Sequence, residues 1–322
     1  MRDGTLSGMA RWRIAQVLAL AATITLIPLL LLAPRTGLRL LWDIAVPILP
    51  AVFLIQPAVW RNICPLATIN TLGNRWSLGL VLKGRGIPVA SGVGIALLAL
   101  MVPARRFLFN SEGPVLAWVI VAVALLALGL GLIFDKRAGF CSGICPVLPV
   151  ERLYGQSPLV FVGNPRCRPC SLCVTRGCLD LSQSKSIAQI LGPQRKTHAW
   201  LTSGFGIFVA CFPGFVLGYY LTPDGDLGTA GTAYLTIGLA SAISYLSTQL
   251  VVRVLKLSST TMIRVLATVA VGLYYWLGAA TIATHLALPG WSAGLIRCAA
   301  LLLIAVWLWR GIPARKSELS PS

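Results

Sequence analysis

Acidic residues are scarce in this chain: nine Asp and Glu stand against 27 Lys and Arg, and all charged residues together make up only 11% of 322 positions. So little charge excludes an ordinary soluble globular domain. Histidine is scarcer still, with only His198 and His285. The topology derived below puts these two near opposite membrane faces, which excludes a haem held by two histidines of this chain. Alternating apolar and polar residues at strand spacing are also missing, which argues against a transmembrane barrel.

What is present is apolar. Hydrophobic residues make up 57% of the chain and the mean hydropathy is +0.81. A bilayer-spanning helix needs about 20 mostly apolar residues. Eight stretches qualify: 14–33, 38–60, 86–103, 114–134, 199–221, 229–251, 264–287 and 291–309. The reading is an all-α polytopic membrane protein. The first run follows a basic N-terminus but is longer than a signal-peptide core and lacks a small-x-small cleavage site, so it reads as a retained span.

The net charge of +18 invites a nucleic-acid reading, but on a membrane chain basic residues first set topology. With both termini in the cytoplasm, 22 basic residues fall on the inner side and four (Arg35, Arg39, Arg105, Arg106) on the outer, with Arg297 inside the last span. The basic residues are spread over short loops flanking helices, which fits nucleic acid poorly. The expected location is a bacterial inner membrane, with lipid as the surroundings. Trp42, Trp60, Trp200, Trp291 and Trp309 fall near helix ends, where interfacial rings are expected.

The segment reading is a first hairpin (1–60), a cytoplasmic Cys-Pro loop (61–85), a second hairpin (86–134), a cytoplasmic cysteine-rich domain (135–198), a four-helix region (199–310) and a tail (311–322). An internal repeat runs through it. "WRNICPLATINTLG" from Trp60 aligns with "CSGICPVLPVERLYG" from Cys141, so that Ile63-Cys64-Pro65 matches Ile144-Cys145-Pro146, Ile69 matches Val150 and Leu72 matches Leu153. Each copy follows a helical hairpin, as expected of a duplicated unit. Cys141 in the second copy faces Trp60 in the first. A lone thiol could be a small buried hydrophobe, but two Cys-Pro elements on one membrane face suggest a shared site.

The cysteine-rich loop continues with Cys167, Cys170, Cys173 and Cys178 in the order C-x2-C-x2-C-x4-C. Three thiolates at this spacing around one tight turn suit three irons of a cubane cluster. Zinc more often takes two separate C-x2-C knuckles, and disulfides are disfavoured in a reducing cytoplasm.

On these residues the chain resembles the membrane-bound polyferredoxin, 4Fe-4S iron-sulfur proteins of the NapH/MauN/NosR type, over about residues 38–180. The resemblance implies [4Fe-4S] clusters in a small cytoplasmic ferredoxin-like loop domain and electron transfer linked to quinone. It is carried by Cys64, Cys141, Cys145, Cys167, Cys170, Cys173 and Cys178. The departures are Trp60 in place of a cysteine, the x4 spacing before Cys178, and Leu179 where a proline would follow.

Two cubanes need eight thiolates in the simplest scheme, and these residues supply seven. Cys211 lies about a dozen residues into the fifth span, roughly 18 Å from its cytoplasmic end, and Cys298 sits nearer the other face. Both read as packing residues. Cys178 either crosses to a second cluster while a remote cysteine such as Cys64 completes the first, or closes its own cluster and leaves Cys64, Cys141 and Cys145 together. Either way the second site has three cysteines, with Asp180 and His198 as candidate fourth ligands.

Further expectations concern exchange partners. Lys136, Arg137, Arg152, Arg166, Arg168 and Arg176 form a basic loop that would draw in an acidic cytoplasmic ferredoxin or flavodoxin, although positive-inside topology alone accounts for them equally well. Asp43, His285 and Arg297 fall toward the outer ends of spans and could form a quinone pocket or an ion-pair network. Gly214 and Gly218 read as a helix-packing face. The rival functions are a transporter or channel with a zinc-stabilised domain and a membrane-anchored redox sensor. The chain reads as an electron-transfer component rather than a stand-alone enzyme, with no catalytic residues of its own.

Overall fold

The computed structural model describes residues 3–160, 170, 173–175, 177–178, 181–196, 198–255 and 257–311. Eight helices among them are long and apolar enough to cross a membrane: Arg11–Leu32, Pro34–Ile55, Gly86–Phe109, Gly113–Ile133, Gly204–Leu221, Leu227–Leu255, Ser259–His285 and Ser292–Arg310. No β-strand occurs among the described residues. A single parallel bridge, Leu80 to Phe134, ties together the segments that follow the first Cys-Pro helix and the fourth span. All eight expected spans are therefore present in an all-helical multi-pass architecture.

Three boundaries move for local reasons. The second span ends at Ile55 and not at 60, because Gln56 turns extended (φ −161°, ψ 93°) ahead of Pro57. The residue before a proline is disfavoured in the α region. A separate short helix, Pro57–Ile63, then carries Trp60 and Arg61. The third span runs past Pro103 to Phe109 through a wide turn at Arg105–Phe109. The fifth begins at Gly204, where the Ser203 hydroxyl accepts from the Gly206 N–H (3.0 Å) and caps the helix.

The fifth span is the axis of the bundle. Its Phe205, Phe208, Val209, Phe212 and Val216 join Met262, Leu266 and Ala267 of the seventh span in the main core. Gly214 and Gly218 do form the expected packing face. A Cβ on Gly218 would stand 2.8 Å from Ile237 Cα, and one on Gly214 would collide with the Ala240 carbonyl of the sixth span. Trp200 corrects an expectation: it is buried in the core and is not an interfacial anchor, whereas Trp291 and Trp309 are exposed at the ends of the last helix. Cys298 is likewise exposed and does not pack inside the chain.

The short helix Leu148–Tyr154 follows the second Cys-Pro element and is buried along most of its length, with Leu153 and Tyr154 in the same core as the fifth span. The cysteine segment is thereby held against the bundle.

Candidate functional site

The two Cys-Pro elements have one backbone conformation. Cys64 stands at φ −55°, ψ 124° between helices Pro57–Ile63 and Pro65–Gly73. Cys145 stands at φ −59°, ψ 123° after the turn Phe140–Ile144. Proline is well suited to the first helical position, where its missing N–H would be unpaired anyway. The next free N–H groups, of Leu66 and Ala67, act on the Cys64 sulfur in favour of its thiolate, although none completes a regular cap hydrogen bond. The N–H groups of Val147 and Leu148 do the same for Cys145. The repeat read from the sequence thus recurs in the backbone angles of the two cysteines and in their electrostatics, although Pro65 opens its helix directly whereas Pro146 lies in a turn before the helix that begins at Leu148.

Cys141 lies within electrostatic range of Cys145 and Cys64, and Cys145 within range of Cys64. Burial pushes the Cys145 thiol up to about 12, and the neighbouring Cys64 adds to the shift. Burial also raises Cys141, with Cys145 and Cys64 adding to it. Cys64 is raised chiefly by burial. These three half-buried thiols therefore keep their protons unless something positive takes their place.

From the later loop, Cys173 is buried with Leu148 and Leu181, and Cys145 packs against the same cluster. The Cys178 carbonyl accepts from Arg61 Nη2 (3.3 Å) and the Cys170 carbonyl from Lys185 Nζ (3.4 Å). Gly177 explains the close approach of this loop to the second copy. It has φ +58°, and a Cβ there would run into the backbone of Arg137 and Ala138. Cys167 and the candidate ligand Asp180 lie outside the described residues. His198, the other candidate, is exposed on the turn His198–Thr202. No disulfide joins the described cysteines.

Around the three cysteines lies a buried ionic network. Arg61, 3% exposed in its side chain, pairs with Glu151, 5% exposed, at 3.1 Å. Arg61 also donates to Ser142 Oγ (3.0 Å), and Arg137 donates to the Arg61 carbonyl. Gln183 donates to Glu151, and Arg152 Nε donates to Ser186 Oγ (2.9 Å). Burial alone would pull the Arg61 guanidinium down, but Glu151, Cys141 and Cys145 together push it above its ordinary value. Burial lowers Arg137, and lowers Arg152 to about 9. Arg137 and Arg152 were expected to attract an acidic partner. Both are buried, so they face the cysteines' surroundings and not a docking protein. Lys136 is exposed, while Arg166, Arg168 and Arg176 lie outside the described residues.

Three buried guanidinium groups thus stand beside one buried carboxylate. The Nε atoms of Arg61 and Arg137 are buried with no hydrogen-bond partner among the described residues. Surplus buried charge is costly unless an opposite charge compensates it. An anionic group held by the cysteines would supply that compensation, so the residues present fit a thiolate-ligated metal centre. No three described His, Cys, Asp or Glu side chains converge tightly enough to hold one metal ion. Cys167 and Asp180 lie outside the described residues.

No protein-family model, curated protein or solved structure matches the chain.

Two membrane-embedded features complete the picture. Asp43 Oδ1 and His285 Nδ1 stand 2.9 Å apart, with Asp43 buried and His285 half exposed. Arg297 does not join them: its Nε donates to the Trp276 carbonyl (3.0 Å) and its guanidinium lies over the Trp276 ring. The three residues therefore do not form one pocket. A cavity of about 270 Å³ lies elsewhere, between Phe53, Leu98 and Phe212, reaching Val147 and Val150 at the cysteine end and Arg105 at the other. Sequence reasoning missed this cavity and the Arg61–Glu151 pair. The available signal for the pair was Glu151 itself, the only glutamate between Glu112 and Glu318.

Proposed function

We propose that the protein is a membrane-bound iron–sulfur electron carrier whose centres lie at the cytoplasmic face of a bacterial inner membrane, both termini on the same side. The observation that supports this reading is that Arg61, one turn before Cys64, is hydrogen-bonded to Ser142 beside Cys141 and paired with Glu151 in the helix after Cys145, which sets the two Cys-Pro elements beside a surplus of buried arginine charge. Cys64, Cys141 and Cys145 would hold one centre. Cys167, Cys170, Cys173 and Cys178 would hold a [4Fe-4S] cluster in a ferredoxin-like loop. This is the partition in which Cys178 closes its own cluster. A bound cluster supplies reversible one-electron chemistry; the chain's own groups bind it, exclude water and offset its negative charge.

Electrons would be exchanged with a cytoplasmic ferredoxin or flavodoxin-like protein, or with a membrane redox partner. A quinone is a further candidate, supported by the apolar cavity that ends two residues beyond Cys145, at Val147. The test is anaerobic purification of the full chain, assay of iron and acid-labile sulfide, and EPR after reduction. Iron and sulfide with a reduced-cluster signal support the reading. Zinc without sulfide would end it and favour a zinc-stabilised transporter domain. Cluster loss in air that alters partner binding would favour a redox sensor.

A further inference from the structure

We infer that Arg61 is a positioning residue that ties the cysteine-bearing segments together and holds up the reduction potential of the centre beside it. This rests on the iron–sulfur reading above. One guanidinium links four stretches of chain: its own helix Pro57–Ile63 one turn before Cys64, Ser142 beside Cys141, Glu151 in the helix after Cys145, and the Cys178 carbonyl in the later loop. Each copy of the repeat contributes from the same position, since Arg61 aligns with Ser142, and the two aligned side chains are hydrogen-bonded to each other (3.0 Å).

The electrostatic part follows from charge and burial. Arg61, Arg137 and Arg152 are buried, and among the described residues Glu151 is the one buried carboxylate set against them. Arg61 reaches Ser142 Oγ next to Cys141 and the Cys178 carbonyl, and Arg137 is held against Arg61 through its donation to the Arg61 carbonyl. Charges in a poorly solvated interior act strongly on one another. Reduction adds one electron to the centre from an external one-electron reductant, without making or breaking a bond. The added negative charge is stabilised by the surplus of buried positive charge. Removing Arg61 makes reduction harder, and removing the charge of Glu151 makes it easier.

The two ends of one ion pair therefore have opposite expected effects, which a merely structural role would not produce. The experiment is an anaerobic redox titration followed by EPR on the full chain in detergent, using dithionite as reductant. Wild type is compared with Arg61→Met, Arg61→Lys and Glu151→Gln. Arg61→Met should lower the midpoint potential, Glu151→Gln should raise it, and Arg61→Lys, which keeps the charge, should stay nearer wild type than Arg61→Met. Where Arg61→Met retains no iron, Arg137→Met gives the downward shift. Wild type that holds iron and sulfide, with midpoints unmoved or moved in the same direction by the arginine and glutamate variants, overturns the inference while leaving the electron-carrier reading intact. Wild type lacking iron and sulfide overturns both.

Discussion

The two Cys-Pro copies share a backbone and differ in what they do with it. In the first, Trp60 sets its ring against Phe53 in the bundle core (6.4 Å between centroids), and Arg61 reaches across to the second copy. In the second, Cys141 takes the place of Trp60 and stays within reach of Cys145 and Cys64, while Ser142 receives Arg61. Further along, Asn70 and Glu151 are aligned partners. Asn70 donates to the Ala127 carbonyl (2.7 Å), whereas Glu151 receives Arg61 and Gln183. The first copy uses its leading positions for core packing and for the arginine of the ion pair, and the second supplies a further thiol and the carboxylate that receives that arginine. Duplication supplied the symmetric frame, and substitution at three aligned positions made it asymmetric.

The largest test of that contrast is truncation at the aligned polar pair. Glu151→Ala leaves the Arg61 guanidinium buried without its counter-ion and should cost about 3–5 kcal/mol of stability. Asn70→Ala removes a buried hydrogen bond between uncharged groups and should cost about 1–3 kcal/mol. Thermal unfolding of the two variants in detergent checks the order, and equal losses would mean that the copies are energetically alike.

Position 60/141 should separate stability from cofactor binding. Trp60→Ala removes a half-buried ring and should cost about 2 kcal/mol while keeping the iron content of wild type. Cys141→Ala should change unfolding by less than about 1 kcal/mol, since little apolar area is lost, and should lower iron and sulfide per chain. The opposite assignment, iron lost with Trp60 and kept without Cys141, would refute the division of labour between the copies.

The eight spans were legible because hydropathy is a local property summed over about 20 residues. The early end of the second span was legible in principle, since Pro57 restricts the residue before it. The repeat was legible from Ile-Cys-Pro alone, but it left open whether Cys64 sits with Cys141 and Cys145 or with the later cysteine run. The Arg61–Glu151 pair was not, because its members lie 90 residues apart and each resembles an ordinary loop charge. Arg137 and Arg152 were misread for the same reason: topology counting cannot tell an exposed basic residue from a buried one. The cavity depends on how Phe53, Leu98 and Phe212 pack across three spans, which no single stretch of sequence specifies.

The smallest expected effect concerns the thiols of metal-free protein. Alkylation proceeds through the thiolate, so a raised pKa slows it. Cys64 is raised chiefly by burial. Cys145 is raised to about 12 by burial and then by Cys64, and Cys141 by burial and then by both other cysteines. Cys141 and Cys145 should react with iodoacetamide at pH 8 at least about tenfold more slowly than a free thiol, since each pKa unit removes about tenfold of the thiolate, and Cys64 should also react more slowly than a free thiol. Within the set Cys141, which both other cysteines raise further, should react last, read by peptide mapping of chelator-treated protein. Because these are acids with raised pKa values, higher pH should speed every reaction, by about tenfold per unit until the thiolate predominates. Cys141 reacting first would mean that the second copy does not gather its thiols as the aligned turns require, and the contrast with Trp60 would lose its chemical meaning.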